Sequence, residues 1–361
     1  MRLPDDYDEH SGMSPVFITA IVAVTIFIAA IFIIVLISNS SSKGGGNTSS
    51  SVPQQVIITE ESSEAVISGS KLRPDDLDFW DMYPEETTET EVEPSQSVTP
   101  ETVEDDPSTD GKHTLVQYAD GEEEWVLISP YLPKHGYDFT KLVCQSDIMK
   151  YYVDGKQMSY AGVDISKYDD YVDFVKLKKA GISFVMIRVG ARGYGSGQLV
   201  LDEYFADNIK RASDAGLQIG VYFYSQAVTE DEAIEEANMV LENIRDYKVE
   251  YPVAYDMEFV ANDDARIDTL SRAEKTSIAK AFLETIENAG YNPIIYGNKE
   301  WLIKEIDMSK LTAYDVWLSQ IADVPDYPYK FTMWQYKDDA AVDGIAGYAS
   351  LNISFVDYSE K

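Results

Sequence analysis

The chain of 361 residues is strongly acidic, with 29 Lys and Arg against 63 Asp and Glu and a formal net charge of -34. Such a surface lacks the basic footprint that displaces counterions from phosphates, which excludes a nucleic-acid partner and a peripheral electrostatic hold on anionic lipid. The single cysteine, Cys144, excludes an intrachain disulfide and a thiolate metal cluster, and in Leu142-Val143-Cys144 it reads as a packing residue.

In chain order, residues 1–15 form a short tail. Residues 16–37 carry no charge, and their polar members are Thr19 and Thr25. A helix of that length measures roughly 33 Å, enough to cross a hydrocarbon core. A cleaved signal peptide has a shorter apolar core and basic residues before it, whereas this segment follows acidic ones. The expectation is an uncleaved anchor over 16–38 with the lipid bilayer as partner. It implies a single-pass protein of the cell membrane, with a cytoplasmic N-terminus and the C-terminal domain outside. Arg2 and Lys43 flank the span almost evenly, so this orientation rests on function and not on charge.

Residues 39–110 hold 17 acidic and three basic residues among Ser, Thr and Pro, too polar a mixture to offset the entropy of ordering. They are expected as an acidic disordered stalk. The aromatic patch at 77–83, with Phe79 and Trp80, is a chance cluster or a small docking motif, and no protein partner can be named from it. Residues 111–160 carry two strand-like pieces, 114–118 and 125–128, joined through Ala119-Asp120-Gly121 as a hairpin. About fifty residues are marginal as an independent domain, so this is read as a small β-containing extension packed on the C-terminal domain.

The last unit, 161–361, alternates strands and helices. Strands are predicted at 162–165, 184–189, 220–224, 253–259, 293–296, 316–319 and 331–336, with a weak one near Leu351. Helices are predicted up to Ala180 and over 202–215, 229–245 and 271–289. Strands separated by helices of this length imply a parallel sheet with right-handed crossovers, and eight of them favour a closed α/β barrel. The later strands lack long helices between them, so the barrel is expected to be irregular where it closes.

The informative motif is Tyr255-Asp256-Met257-Glu258 at the end of the fourth strand. Positions i and i+2 share a strand face about 6–7 Å apart, at the end where a parallel barrel builds its site. Burial and mutual repulsion would keep one carboxyl protonated and the other ionised, the division of labour a glycosidase uses. Asp164, closing the first strand, points to the same mouth. Solvated surface acids are the plainer reading for any one of these. It fits Asp256 and Glu258 less well, because they interrupt an apolar run. His10, His113 and His135 all precede residue 161, so Cys-His, Ser-His-Asp and His-ligated zinc chemistry have no histidine there. An all-carboxylate metal site is the alternative, and carboxylate chemistry with neither metal nor cofactor needs fewer assumptions. Tyr222, Tyr224, Tyr296, Trp317, Trp334 and Gln335 fall near strand ends and together suit a sugar-binding cleft, although singly each is as readily a core or rim residue. Arg188 is either an orienting group for the ligand or a buried ion-pair partner.

With these residues in place, 161 to about 358 resembles the family 25 glycoside hydrolases, the Chalaropsis-type lysozymes. The resemblance is carried by Gly162-Val163-Asp164-Ile165-Ser166, the strand 184–190, Gly220-Val221-Tyr222 and the strand 252–258. It implies a flattened, irregular TIM-like (β/α) barrel of eight strands with fewer helices. The implied reaction is cleavage of the β-1,4 bond from N-acetylmuramic acid to N-acetylglucosamine in peptidoglycan strands. By position, Glu258 resembles the general acid, Asp256 the residue that orients the substrate's 2-acetamido group for attack with retention, and Asp164 a supporting carboxylate. The chain departs from the family at Ala349-Ser350-Leu351-Asn352, where Val-Asp-x-Asn is common, and Asp343 is the nearest substitute carboxylate in sequence. Trp317-Leu318-Ser319-Gln320 also differs from the commoner Trp-x-Ala-x-Tyr. Two alternatives stand beside the muramidase: an impaired glycan-binding or scaffold protein on the same fold, and a hydrolase of another N-acetylglucosamine-containing glycan.

Overall fold

The computed structural model describes residues 106–260 and 263–360. The described residues begin inside the expected stalk. Residues 106–110 form a turn in which Asp106 accepts from the Ser108 and Thr109 amides, and Asp110 accepts from His113 Nδ1 at 2.6 Å. The remainder of the stalk, the tail and the expected anchor at 16–38 lie outside the described residues. Among the described residues no helix is long and apolar enough to cross a membrane. The expectation of a membrane-anchored, single-pass protein with a bilayer partner is corrected accordingly: it has no support in the fold, and it is not carried further.

The extension begins with a hairpin, β1 (His113–Gln117) and β2 (Glu123–Leu127). Its turn is closed by Gly121, whose φ of 90° only glycine adopts readily. A small antiparallel sheet comes next, made of β3 (Leu142–Gln145), β4 (Ile148–Val153) and β5 (Lys156–Gln157). Cys144 is exposed on β3, which corrects its reading as a packing residue.

The barrel strands are β6 (Tyr160–Ile165) and β7 (Phe184–Arg192), with the short β8 (Leu199–Leu201) hairpinned onto β7. They continue with β9 (Gln218–Ser225), β10 (Val253–Met257), β11 (Pro293–Asn298), β12 (Asp315–Ser319), β13 (Met333–Ala340) and β14 (Ala349–Ser354). Each is paired with its neighbours, and β14 pairs with β6 to close an eight-stranded ring. Four helices pack outside it: α1 (Phe174–Ala180), α2 (Phe205–Asp214), α3 (Glu230–Ile244) and α4 (Arg272–Asn288). Their boundaries reflect sequence chemistry. Thr229 caps α3 ahead of three acidic residues that suit its positive end, Ser271 and Glu274 form a capping box on α4, and Gly181 ends α1 in the left-handed region.

The expectation of an all-parallel sheet fails at β14, which runs antiparallel to both β13 and β6. A short connection without a helix can return the chain only in the opposite direction, and the segment between β13 and β14 is of that kind. Helices are also missing outside β12, β13 and β14, and the extension takes their place. The Met149 amide donates to Tyr336 Oη at 3.0 Å, and the Ser129 amide donates to Tyr329 Oη at 2.8 Å. Tyr137 donates to the Phe331 carbonyl at 2.8 Å, and its ring stacks on Phe355 at 4.1 Å.

Inside the ring, Phe184, Met186, Ala254, Ile294, Trp317 and Met333 form a buried layer that Tyr251 and Tyr358 close from below. The layer fits because β6 and β9 contribute glycines to it. A Cβ on Gly162 would lie 2.3 Å from the Phe184 ring, and one on Gly220 would lie 2.4 Å from Met186 Sδ. Gly162→Ala should therefore lower stability by about 1–3 kcal/mol through overpacking, and Phe184→Leu in the same chain should recover part of the loss. Thermal denaturation of the single and double variants checks both signs.

Candidate active site

The C-terminal ends of the parallel strands form one mouth. Strand register lays Tyr224, Asp256, Tyr296 and Trp317 side by side across β9, β10, β11 and β12. On the other side Ser319 pairs with Gln335, Gln335 with Asn352, and Ser350 with Asp164. Glu258 stands one residue beyond β10, its carbonyl accepting from Gln226 Nε2 at 3.1 Å. The next residue, Phe259, is held edge-on to Trp301 at 5.1 Å, with the Lys275 ammonium 4.7 Å from its ring centre.

Below the carboxylates runs a hydrogen-bond chain whose direction is set at Trp317. The Trp317 indole N–H donates to Asn352 Oδ1 at 2.8 Å. An indole can only donate, so the amide of Asn352 is fixed and its NH2 must face Asp164, whose Oδ2 it reaches at 2.8 Å. Tyr296 Oη and Ser319 Oγ both donate to Gln335 Oε1, at 2.9 and 2.8 Å. The amide nitrogen of Gln335, Nε2, donates to the same Asp164 Oδ2 at 2.9 Å.

The electrostatics result from burial. Burial pushes the Asp164 carboxyl up to about 6, against the pull of its hydrogen bonds from Asn352 and Gln335. Glu258 is pushed up to about 7, by burial first and then by the charge of Asp164. Asp256 is raised well above the ordinary carboxylate range by burial, then by Glu258 and Asp164. It is 5 % exposed, and its Oδ1 has no hydrogen-bond partner among the described residues. At neutral pH the mouth thus retains protons that the same carboxyls would lose in water. Among the described residues no cluster of three or more His, Cys, Asp or Glu side chains is arranged to hold a metal ion.

The structure brings Asp164, Asp256, Glu258, Tyr222, Tyr224, Tyr296 and Gln335 to this mouth. Arg188 is near enough to pull down Asp256, but Nη2 and Nε engage Asp202 Oδ2 at 2.8 and 2.9 Å, the ion-pair alternative. Trp317 is 2 % exposed and forms the floor beneath Tyr222 and Tyr296 instead of an open platform. Trp334 turns to the outer face of β13, where its indole donates to the Gln320 carbonyl at 2.8 Å. Asp343 is exposed in the β13–β14 connection, and no hydrogen bond links it to the three carboxyls. Sequence reasoning missed Ser319 and Asn352 as site residues. The signal that could have found them was Asn352 itself, a fully buried polar residue between Leu351 and Ile353.

The profile of the glycosyl hydrolases family 25 matches residues 163–345, just over half of the chain and every strand from β7 to β13. The chain belongs to that family. A curated relative, the D-alanyl-L-alanine endopeptidase of Streptococcus phage B30, is 26% identical over 179 residues, 48% of this chain and 36% of its own length. This chain therefore spans about a third of that protein. Among solved structures, the modular autolysin LytC of Streptococcus pneumoniae, solved with a synthetic peptidoglycan ligand, superposes with a TM-score of 0.48 at 21% identity, over 67% of this chain and 56% of that one. A family 25 hydrolase from Bacillus anthracis gives 0.46 at 22% identity, over 57% of this chain and 93% of that one.

The raised carboxyls predict a pH dependence of stability in this family 25 domain. Asp164, Glu258 and the fully buried Glu236, pushed up to about 7 by burial, hold protons in the folded state that the unfolded chain loses near 4. Their contribution is complete below about pH 4 and declines as pH rises toward about 7. Glu124 and Glu232, shifted downward, act only in the more acid range. The melting midpoint should therefore fall between about pH 5 and about pH 8. Glu258→Gln should flatten part of that fall and melt roughly 2–4 °C above wild type at about pH 8, the shift that about 1 kcal/mol produces. Scanning calorimetry at the two pH values reads both effects.

Proposed function

We propose that the protein is a peptidoglycan hydrolase of the N-acetylmuramidase type, cleaving the β-1,4 bond between N-acetylmuramic acid and N-acetylglucosamine with retention. The observation that carries the reading is the buried Asp256–Glu258 pair, with Asp164 beside it, at the mouth of a family 25 barrel. Glu258, protonated near neutrality, delivers its proton to the glycosidic oxygen as that oxygen leaves the anomeric carbon. The carbonyl oxygen of the substrate's 2-acetamido group bonds to the vacated carbon, and Asp256 Oδ1 accepts a hydrogen bond from the acetamido N–H and so orients the group. Water then attacks the same carbon, giving its proton to the Glu258 carboxylate, and the acetamido group is released. Two inversions leave the configuration retained.

Support for the role of Asp256 comes from Oδ1, a buried oxygen without a protein partner and matched to an acetamido N–H. Half-buried Tyr222, Tyr224 and Tyr296 offer ring faces and hydroxyls along the same mouth. A glycan-binding protein without catalysis has no need to hold three carboxyls out of water, which favours the enzyme.

Glu258→Gln should cut turnover by about 10²–10⁴-fold while the fold survives. Mass spectrometry of digested peptidoglycan should show fragments ending in reducing N-acetylmuramic acid with wild type alone. Reducing N-acetylglucosamine ends would assign a different bond, and wild-type rates in the variant would remove Glu258 from the role of acid.

A further inference from the structure

Asp164 is the one carboxyl of the three that the protein grips with neutral donors. Both grips fall on the same oxygen, Oδ2, from Asn352 at 2.8 Å and from Gln335 at 2.9 Å. Each donor is itself held: Asn352 is locked by the Trp317 indole, and Gln335 is bonded by the Tyr296 and Ser319 hydroxyls. Asn352 cannot rotate to offer its oxygen to Asp164 without losing the indole bond, and with both NH2 groups aimed at it Oδ2 accepts two hydrogen bonds, an arrangement that suits a carboxylate oxygen better than a protonated one. Oδ1 is left outside the clamp.

We propose that Asn352 and Gln335 are positioning residues that hold Asp164 as a fixed, ionised acceptor, with Oδ1 turned to a donor group of the bound glycan, a hydroxyl or an amide N–H. The proposal rests on the reading of this mouth as the glycosidase site. It extends that reading by giving Asp164 a required charge state and the two amides a task. A neutral Asp164 can present its own O–H instead and would no longer select for a donor on the ligand. The ionisable and charged groups facing Asp164 are Asp256 and Glu258 from β10, Asp169 beyond β6, Tyr222 of β9, Tyr296 of β11, and Arg188 of β7 with its partner Asp202. The carboxyls among them oppose a charge on Asp164, and Arg188 is already paired. The two amide donors are therefore what tips the balance toward the carboxylate.

The test pairs Gln335→Met, which removes a donor near the open end of the cleft, with Asn352→Ala, which removes the deeper one. The carboxyl carbon of Asp164 is monitored by NMR titration in each full-length variant, and the pH dependence of kcat/KM is measured on peptidoglycan. Each substitution should raise the Asp164 titration midpoint by about one pH unit, and the acid limb of kcat/KM should move up with it. A purely structural role would lower the melting midpoint and leave both midpoints in place. If Asn352→Ala does not fold, Gln335→Met alone decides. An unmoved Asp164 titration in a folded variant overturns the proposal. A moved titration with an unmoved acid limb keeps the clamp and removes Asp164 from the chemistry, which separates this inference from the glycosidase reading.

Discussion

Three carboxyl groups share a mouth in which, among the described residues, no cation is free to neutralise them, and the remaining features of the site depend on that. At a separation of about 6 Å and an effective dielectric near 20, two carboxylates repel by roughly 2–3 kcal/mol, equivalent to about two pKa units. Burial adds to this in the same direction. Asp256 and Glu258 therefore cannot both be charged near neutrality, and the proton they retain is the one a glycosidase needs. Arg188 relieves little of this, since its guanidinium is engaged by Asp202 and by the face of Tyr168. The protein assigns the charge by hydrogen bonding instead. Asp164 has two amide donors, whereas Asp256 Oδ1 has none.

The closing strand makes that assignment. Because β14 runs against both neighbours, its first residues lie at the mouth and its last at the base, the reverse of the other seven strands. Ser350 meets Asp164 at the rim, and Asn352, two residues on along the same face, reaches under it toward Trp317. A parallel strand carrying the same residues would reverse that order. The reversal follows from the shortness of the connection between β13 and β14, and the outer faces of β12 to β14 carry no helix. Residues 129–160 supply the cover with tyrosine hydroxyls and stacked rings in place of a helix face. The antiparallel closure of the barrel and the Asn352 clamp thus share one cause.

Most of the barrel was legible in the sequence because its strands are short apolar runs between capped helices. β10 is an uninterrupted buried segment, and all four helices lie within the expected ranges. Asp256 and Glu258 were legible for the same reason, as charges set in a run that had to be buried. Strand direction was not legible, since apolar periodicity is the same read either way. Which face Trp334 takes was also hidden: every second residue of β13 is large, and both of its faces are buried, one in the barrel and one under the extension. Cys144 was misjudged because a four-residue strand in a small edge sheet buries little, whatever its composition. Asn352 escaped notice because its role depends on Trp317, 35 residues away in sequence and brought near only by closure of the ring.

The departure at Ser350 takes on a physical meaning in this setting. It pairs with Asp164 in register and lies on the same face as Asn352, so a carboxylate there would add a fourth charge at the rim, beside the one that the two amides hold. Added negative charge raises every neighbouring carboxyl, so Glu258 would keep its proton to higher pH and Asp164 would be harder to ionise. A neutral hydroxyl removes that repulsion while leaving a group able to hydrogen-bond a sugar. With three carboxyls the site needs no additional cation to keep Asp164 charged, and the clamp from Asn352 and Gln335 is sufficient. Serine at 350 is therefore compatible with the acid assigned to Glu258, and its effect falls on the pH range over which that acid and the Asp164 charge coexist.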